Sequence, residues 1–248
     1  MTDHAVTIVV GMGEVGTPLS RILGRKYRCV TVDIQPVEAV GPYSVMHICY
    51  PFQIPDFVRT TVAYIRKYRP ALTVINSTVA PGTTRKIYEA ADRAPVAYSP
   101  VRGKHAKMEE HMLFYKKFVA GCDEQATEAA QRHFAAAGFK TDTFPTPEAA
   151  EVSKLLETTY LGVLVAWAQE AERLGRHWGV SFAEISAMWK EVDFLPSNIF
   201  PGHIGGHCVM PNISILRDHV RSPLLDVIVE SNERKAVELK TAAGSGGA

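Results

Sequence analysis

The 248-residue sequence predicts an α/β fold: a doubly wound parallel sheet followed by a mostly helical second domain, entered through one long connecting helix. Three features predict it. Short blocks of β-branched and aliphatic residues alternate with helical periodicity as far as Thr146, a glycine string joins the first two blocks, and beyond Pro147 the strand-like blocks stop and helical patterns take over.

Ala5 to Val10 is rich in β-branched residues and halts at Gly11, which suits a strand buried on both faces. Val15, Leu19, Ile22 and Leu23 then recur at helical spacing, and Cys29 to Ile34 makes a second buried strand, completing a βαβ unit. Further strand-like blocks lie at Val45–Cys49, Leu72–Asn76, Pro95–Tyr98 and Phe118–Ala120. Helical patterns separate them at Pro55–Arg69, Thr84–Ala91 and Glu124–Ala137. Glu148 to Arg176 holds no proline and predicts one long helix. The stretch through Trp189 and that from Ser222 to Leu239 are also helical in pattern, separated by the Pro- and Gly-rich segment Leu195–Pro211. The expected division is a nucleotide-binding domain over 1–147, a helical domain over 148–241, and a Gly-rich, disordered end over 242–248.

A formal net charge of +1 gives no bulk field that would recruit nucleic acid or an acidic membrane. The four cysteines are too scattered for a zinc knuckle or a redox dithiol and are expected to be reduced. No run approaches the ~20 apolar residues that span a bilayer, and the N-terminus has no secretory pattern, so the expectation is a cytoplasmic protein without a membrane partner.

Gly11-Met12-Gly13-Glu14-Val15-Gly16 is a G-x-G-x-x-G string between a predicted strand and a predicted helix, answered by Asp33 at the end of the next strand. This is the Rossmann-type arrangement. Gly11 permits the tight turn, Gly13 the approach of backbone to a diphosphate, and Gly16 close packing of helix on strand, while the helix N-terminus offers amides and positive dipole. Asp33 would accept from ribose hydroxyls and repel a 2′-phosphate, and Ile34-Gln35-Pro36 brings no arginine, so NAD is expected rather than NADP.

Four further strings, Asn76–Arg85 (NSTVAPGTTR), Tyr98–Arg102 (YSPVR), Glu151–Thr159 (EVSKLLETT) and Pro201–Asn212 (PGHIGGHCVMPN), line up in order. With them the chain resembles the UDP-glucose/GDP-mannose dehydrogenase family, whose members oxidise a sugar-nucleotide alcohol to a carboxylate with two NAD. The resemblance implies that Cys208, behind Gly205, Gly206 and His207, attacks an aldehyde carbon, as a thiolate near neutral pH can. It implies that Lys154 stabilises alkoxide charge, on one helix face with Glu151 and Thr158. It further implies that Thr78, beside Ser77 at the cofactor, helps to hold a water, and that the long helix forms a homodimer, for which its widely spread apolar residues also argue.

Several positions depart from the family pattern. Val101 stands where the family has a glutamate, Thr158 where it has an asparagine and Asn212 where it has an aspartate. The link after Asp33 is short, and the family's nucleotide-gripping C-terminal domain is missing, so a shortened, divergent member is expected. The substrate is then an alcohol of a sugar, sugar nucleotide or related polyol, with the chemistry limited to one oxidation. Two alternatives stand beside this: a β-hydroxyacid-dehydrogenase-like enzyme that uses Lys154 without Cys208, and an NAD(H)-binding regulatory protein that has lost turnover. Arg102, Lys104 and His105, on an expected loop at a strand's carboxyl end, are candidate anion contacts. His203, His207 and Cys208 are not expected to hold a metal, since glycines separate them.

Overall fold

The computed structural model describes residues 6–35, 41–103, 105–192 and 199–245. Ala5, Lys104 and residues 36, 195–198 and 246–248, which figure in the expectations above, lie outside them. The chain divides into two compact units, Met1–Lys154 and Leu155–Ala248.

The first unit is built on strands β1 (Val6–Val10), β2 (Arg28–Val32), β3 (Tyr43–Ile48), β4 (Leu72–Ile75), β5 (Val96–Tyr98), β6 (Lys117–Gly121) and β7 (Thr141–Thr143). They form one sheet in the order β2-β1-β3-β4-β5-β6-β7. Between them run helices α1 (Gly16–Leu23), α2 (Phe57–Tyr68), α3 (Thr83–Ala90), α4 (Met108–Phe114) and α5 (Glu124–Ala136). Side-chain alternation sorts the core onto two faces. Ile8, Val10, Met46, Ile48 and Ile75 pack with Val62, Ile65 and Ile87 of α2 and α3. Val9, Val45 and Val74 pack instead with Leu19, Ile22 and Leu23 of α1 and Phe134 of α5. Helices on both faces explain why the central strands are continuous apolar runs.

The sheet differs from the expectation in three places. It is not wholly parallel, because β5 and β6 pair antiparallel. The chain between them folds into a 3-10 turn (His105–Lys107) and α4, where a loop was expected, and α4 packs beside α1. The chain therefore stays at the carboxyl ends of the strands before β6 turns back. Second, β2 is an edge strand in which Val32 alone is buried, while Ile34, assigned to it from sequence, is exposed beyond its end. Third, β7 is a short polar edge strand that hydrophobic patterning does not register.

Helix α6 (Pro147–His177) begins in the first unit and continues in the second, which adds α7 (Phe182–Ala187), a 3-10 turn (Met188–Glu191), α8 (Val209–Arg217) and α9 (Pro223–Ser245). Ser181 and Glu184 form a capping box that starts α7. A Cβ on Gly162 would lie 3.0 Å from Val209 Cγ1, 3.3 Å from Ile213 Cδ1 and 3.4 Å from Ile228 Cγ2, so this glycine lets α8 and α9 pack closely on α6. Helix α8 begins inside the segment expected to separate helices, and α9 runs into the end expected to be disordered.

Candidate functional site

The glycine string forms a tight turn from the end of β1 into α1. Gly11 has φ +92, and a Cβ there would sit 2.6 Å from Tyr50 N. A Cβ on Gly16 would lie 1.8 Å from Gly11 O, so α1 could not approach β1 with any larger residue. Gly13 differs from both: its φ is not left-handed, and no described atom lies within 4 Å of where its Cβ would be. Neither conformation nor packing requires glycine at 13. Bare backbone there leaves open space that an approaching phosphate can use.

The cap residue of α1, Val15, has no group that could satisfy the helix's first amides, and the first turn has no acidic residue. Within that turn Thr17 N is bonded to Gly13 O and Pro18 has no amide hydrogen, so what suits an anion there is the backbone of the turn up to Gly16 and the positive end of the helix dipole. Glu14 is exposed. Asp33, also exposed, lies across the turn, with Met12 N donating to its Oδ1 at 3.5 Å. The turn stands where the strand order reverses, β1 lying between β2 and β3, which is the place where open α/β sheets bind ligands. At the end of β4, Ser77 is buried and donates to Tyr50 O at 2.6 Å, so its hydroxyl holds two loops together, while Thr78 is half-buried.

Beneath these loops lies a polar cluster that hydrophobic patterning does not reveal. Lys117, which opens β6, is only 4% exposed, and its Nζ donates to Ser99 O at 2.6 Å, Pro100 O at 3.1 Å and Asn76 Oδ1 at 3.1 Å. Asn76 Nδ2 meets His47 Nδ1 at 3.2 Å, and His47 Nε2 meets His133 Nε2 at 3.0 Å. Burial moves the Lys117 ammonium down to about 7, against an opposing pull from Cys49 and with a smaller lowering contribution from the charge of Lys154. Burial first, and then the charges of His133 and Lys117, hold His47 well below the usual imidazole range, and burial brings His133 to about 4. The cluster thus ties the ends of β4, β5 and β6 together. Its sequence signal is weak, because a lysine before an apolar strand ordinarily faces water. Only the antiparallel return of β6 brings it to the strand ends.

The other predicted residues of the first unit take varied positions. Val101 is buried in the core on the α1 side of the sheet. Arg102 is half-buried, with its guanidinium 5.3 Å from the centre of the Tyr115 ring. His105 opens the 3-10 turn, and Lys104 lies outside the described residues. Glu151 is fully buried and accepts from Gly82 N (2.6 Å), Thr84 N (2.8 Å) and Thr84 Oγ1 (2.6 Å), so it caps α3; burial raises its pKa against these bonds. Lys154 is half-buried on the same helix.

In the second unit Cys208 is exposed and forms the N-cap of α8, after exposed Gly205, Gly206 (φ +78) and His207. Asn212, one turn into α8, is 5% exposed, and its Nδ2 donates to Thr158 Oγ1 at 2.9 Å; Thr158 Oγ1 in turn donates to Leu155 O. The structure therefore brings together two of the three positions that depart from the family pattern, Thr158 and Asn212, as a neutral pair. Among the described residues no three His, Cys, Asp or Glu side chains gather where they could hold a metal ion, and no described helix is long and apolar enough to cross a membrane.

Residues 148–234 match the model of the UDP-glucose/GDP-mannose dehydrogenase family, central domain. A UDP-N-acetyl-D-mannosamine dehydrogenase of Methanococcus vannielii is 28% identical over 178 residues, which is 70% of this chain and 40% of that protein. The chain thus spans less than half the length of the curated relatives it matches. In fold it is similar to UDP-D-ManNAc dehydrogenase from Pyrococcus horikoshii, with a TM-score of 0.85 at 19% identity, covering 96% of this chain and 70% of that one. A 3-hydroxyisobutyrate dehydrogenase of Mycobacterium tuberculosis is similar in fold over 96% of this chain and 94% of its own, with a TM-score of 0.72 at 16% identity. The match to the family's central domain thus follows directly on a sheet-bearing unit that holds the glycine turn, and the chain is similar to the UDP-glucose/GDP-mannose dehydrogenase family.

Proposed function

We propose that the chain is an NAD-dependent oxidoreductase acting on an alcohol of a sugar, sugar nucleotide or related polyol. The supporting observation is the turn at Gly11–Gly16, where Gly13 leaves open a space that no packing need explains. The amides of Met12 to Gly16 would hold the diphosphate, Asp33 the adenosine ribose, and Ser77 and Thr78 would flank the cofactor. When bound, NAD supplies the acceptor for the hydride that leaves the substrate carbon.

Lys154 serves the substrate oxygen, where a compact ammonium offsets the alkoxide charge that develops as the hydroxyl proton passes to solvent water. Val101 is an apolar core residue and Asn212 is bonded to Thr158, so neither can act as a base. We therefore assign one oxidation, alcohol to carbonyl, with Cys208, Gly205, Gly206 and His207 orienting the reacting carbon. Arg102, Lys104 and His105 are assigned to anionic groups of the substrate. The relatives' printed names make a UDP-N-acetylhexosamine the first substrate to try. Exposed Leu156, Tyr160, Trp167 and Leu174 recur along one stripe of α6, which supports a homodimer formed by a second copy of this helix.

A second reading follows from the Thr158–Asn212 pair. β-Hydroxyacid dehydrogenases place an amide four residues after their lysine and need no cysteine; here Asn212 brings an amide to Thr158 at that position. Hydride transfer to NAD, followed at 340 nm with UDP-N-acetylhexosamines and 3-hydroxy acids, separates the two. The proposed function expects turnover of the sugar nucleotide that falls by two or more orders of magnitude in Lys154→Ala and also falls in Cys208→Ala. Full activity on a hydroxy acid in Cys208→Ala would transfer the assignment to the second reading.

A further inference from the structure

We propose that Gln169 and Asn232 are positioning residues that fix the loop bearing Cys208. This rests on the reading above that Cys208 serves the reacting carbon. Both are buried side chains, Gln169 on α6 and Asn232 on α9. The Asn232 amide takes both backbone groups of Ile204: its Oδ1 accepts from Ile204 N at 2.7 Å and its Nδ2 donates to Ile204 O at 3.1 Å, a pairing of the kind one strand offers another. Gln169 Nε2 donates to Gly202 O at 2.7 Å and, more weakly, to Asn232 Oδ1 at 3.4 Å.

The two amides are themselves held in one orientation. Ser231 Oγ donates to Gln169 Oε1 at 2.8 Å, which leaves the Gln169 nitrogen facing the loop. Arg173 donates to Ser231 Oγ and O and is held by Glu170 and Glu238. Turning either amide over would set donor against donor in a buried site, so the network selects a single arrangement.

The loop shows why such a hold is needed. Gly205, Gly206, His207 and Cys208 are all exposed, and a Cβ added at Gly206 would meet no described atom within 4 Å, one at Gly205 only His203 Nδ1 at 3.9 Å. Ile204, buried and paired, stands on one side of this span, and Val209, buried at the start of α8, on the other. These two anchors fix the ends of the span that carries Cys208. An apolar pair at 169 and 232 could fill the same volume but would leave the Ile204 and Gly202 backbone groups unpaired, so the amides serve loop geometry rather than packing.

The test uses the full chain and its Asn232→Leu, Asn232→Asp and Gln169→Met variants. Amide hydrogen exchange over residues 202–208 is measured together with the pH profile of Cys208 alkylation by iodoacetamide, read on the Cys208 peptide. Asn232→Leu is expected to speed exchange in 202–208 on the order of tenfold or more, leave exchange of α6 near that of the native chain, and alter the alkylation profile. Asn232→Asp, which keeps the bond from Ile204 N, should lie between, and Gln169→Met should loosen the Gly202 end alone. An unchanged profile and unchanged loop exchange in a folded variant would overturn the proposal, as would equal loosening of α6, α9 and the loop in Gln169→Met and Asn232→Asp. Full sugar-nucleotide oxidation by Cys208→Ser would instead refute the role given to Cys208, while the exchange result would still decide whether these amides hold the loop.

Discussion

Lys117 and the glycines of the turn show two ways in which single residues shape the candidate site. Gly16→Ala forces a Cβ to within 1.8 Å of Gly11 O and is expected to unfold the first unit, whereas Gly13→Ala meets no described atom and should leave the thermal midpoint near the native value while weakening dinucleotide binding tenfold or more. Thermal melts beside titrations check the contrast, and equal effects in both assays would contradict it. Lys117 gives a pH signature. Its folded pKa, about 7, lies below the ordinary 10.5, so the unfolded chain holds the extra proton between those values and stability gains from Lys117 as pH rises through that window. Measured between pH 7 and 9, below the range in which the buried thiols titrate, the native chain should gain stability relative to Lys117→Met; parallel curves would show that the ammonium is not held in this way. The glycine string was legible because its chemistry is contiguous in the chain. Lys117, His47 and His133 were not, because their meeting depends on which way β6 runs.

At the scale of elements, α3 does not cap itself. Its cap residue, Gly82, has φ +84 and no side chain, and Glu151 supplies the missing acceptor from α6. In Glu151→Gln an amide nitrogen must face a donor of Gly82 or Thr84, so a loss of about 1–3 kcal/mol is expected in urea denaturation; an unchanged midpoint would show that the carboxylate is not needed as the cap. Helices α2, α5 and α6 were legible to within a residue or two because each presents an apolar stripe with a clear start. Helix α8 was hidden by Pro211, which the first turn of a helix tolerates although it resembles a breaker in sequence, and α4 by its brevity.

Across the whole molecule, the change of pattern at Pro147 marks the start of α6, yet the packing divides between Lys154 and Leu155, inside an unbroken helix whose periodicity cannot record it. The exposed stripe of α6 makes assembly testable: light scattering should give a dimer, and Tyr160→Glu with Trp167→Glu should give a monomer. A native chain that is monomeric at every concentration would exclude assembly through this helix. The central claim is that the turn at Gly11–Gly16 binds NAD, and calorimetric titration with NAD, NADH and NADPH, with Asp33→Ala as control, tests it most directly. Micromolar binding of NAD and NADH, weaker binding of NADPH and a loss of NAD affinity in Asp33→Ala are the predicted results. Binding of none of the three by the folded chain would contradict the account and leave a dehydrogenase fold without its cofactor.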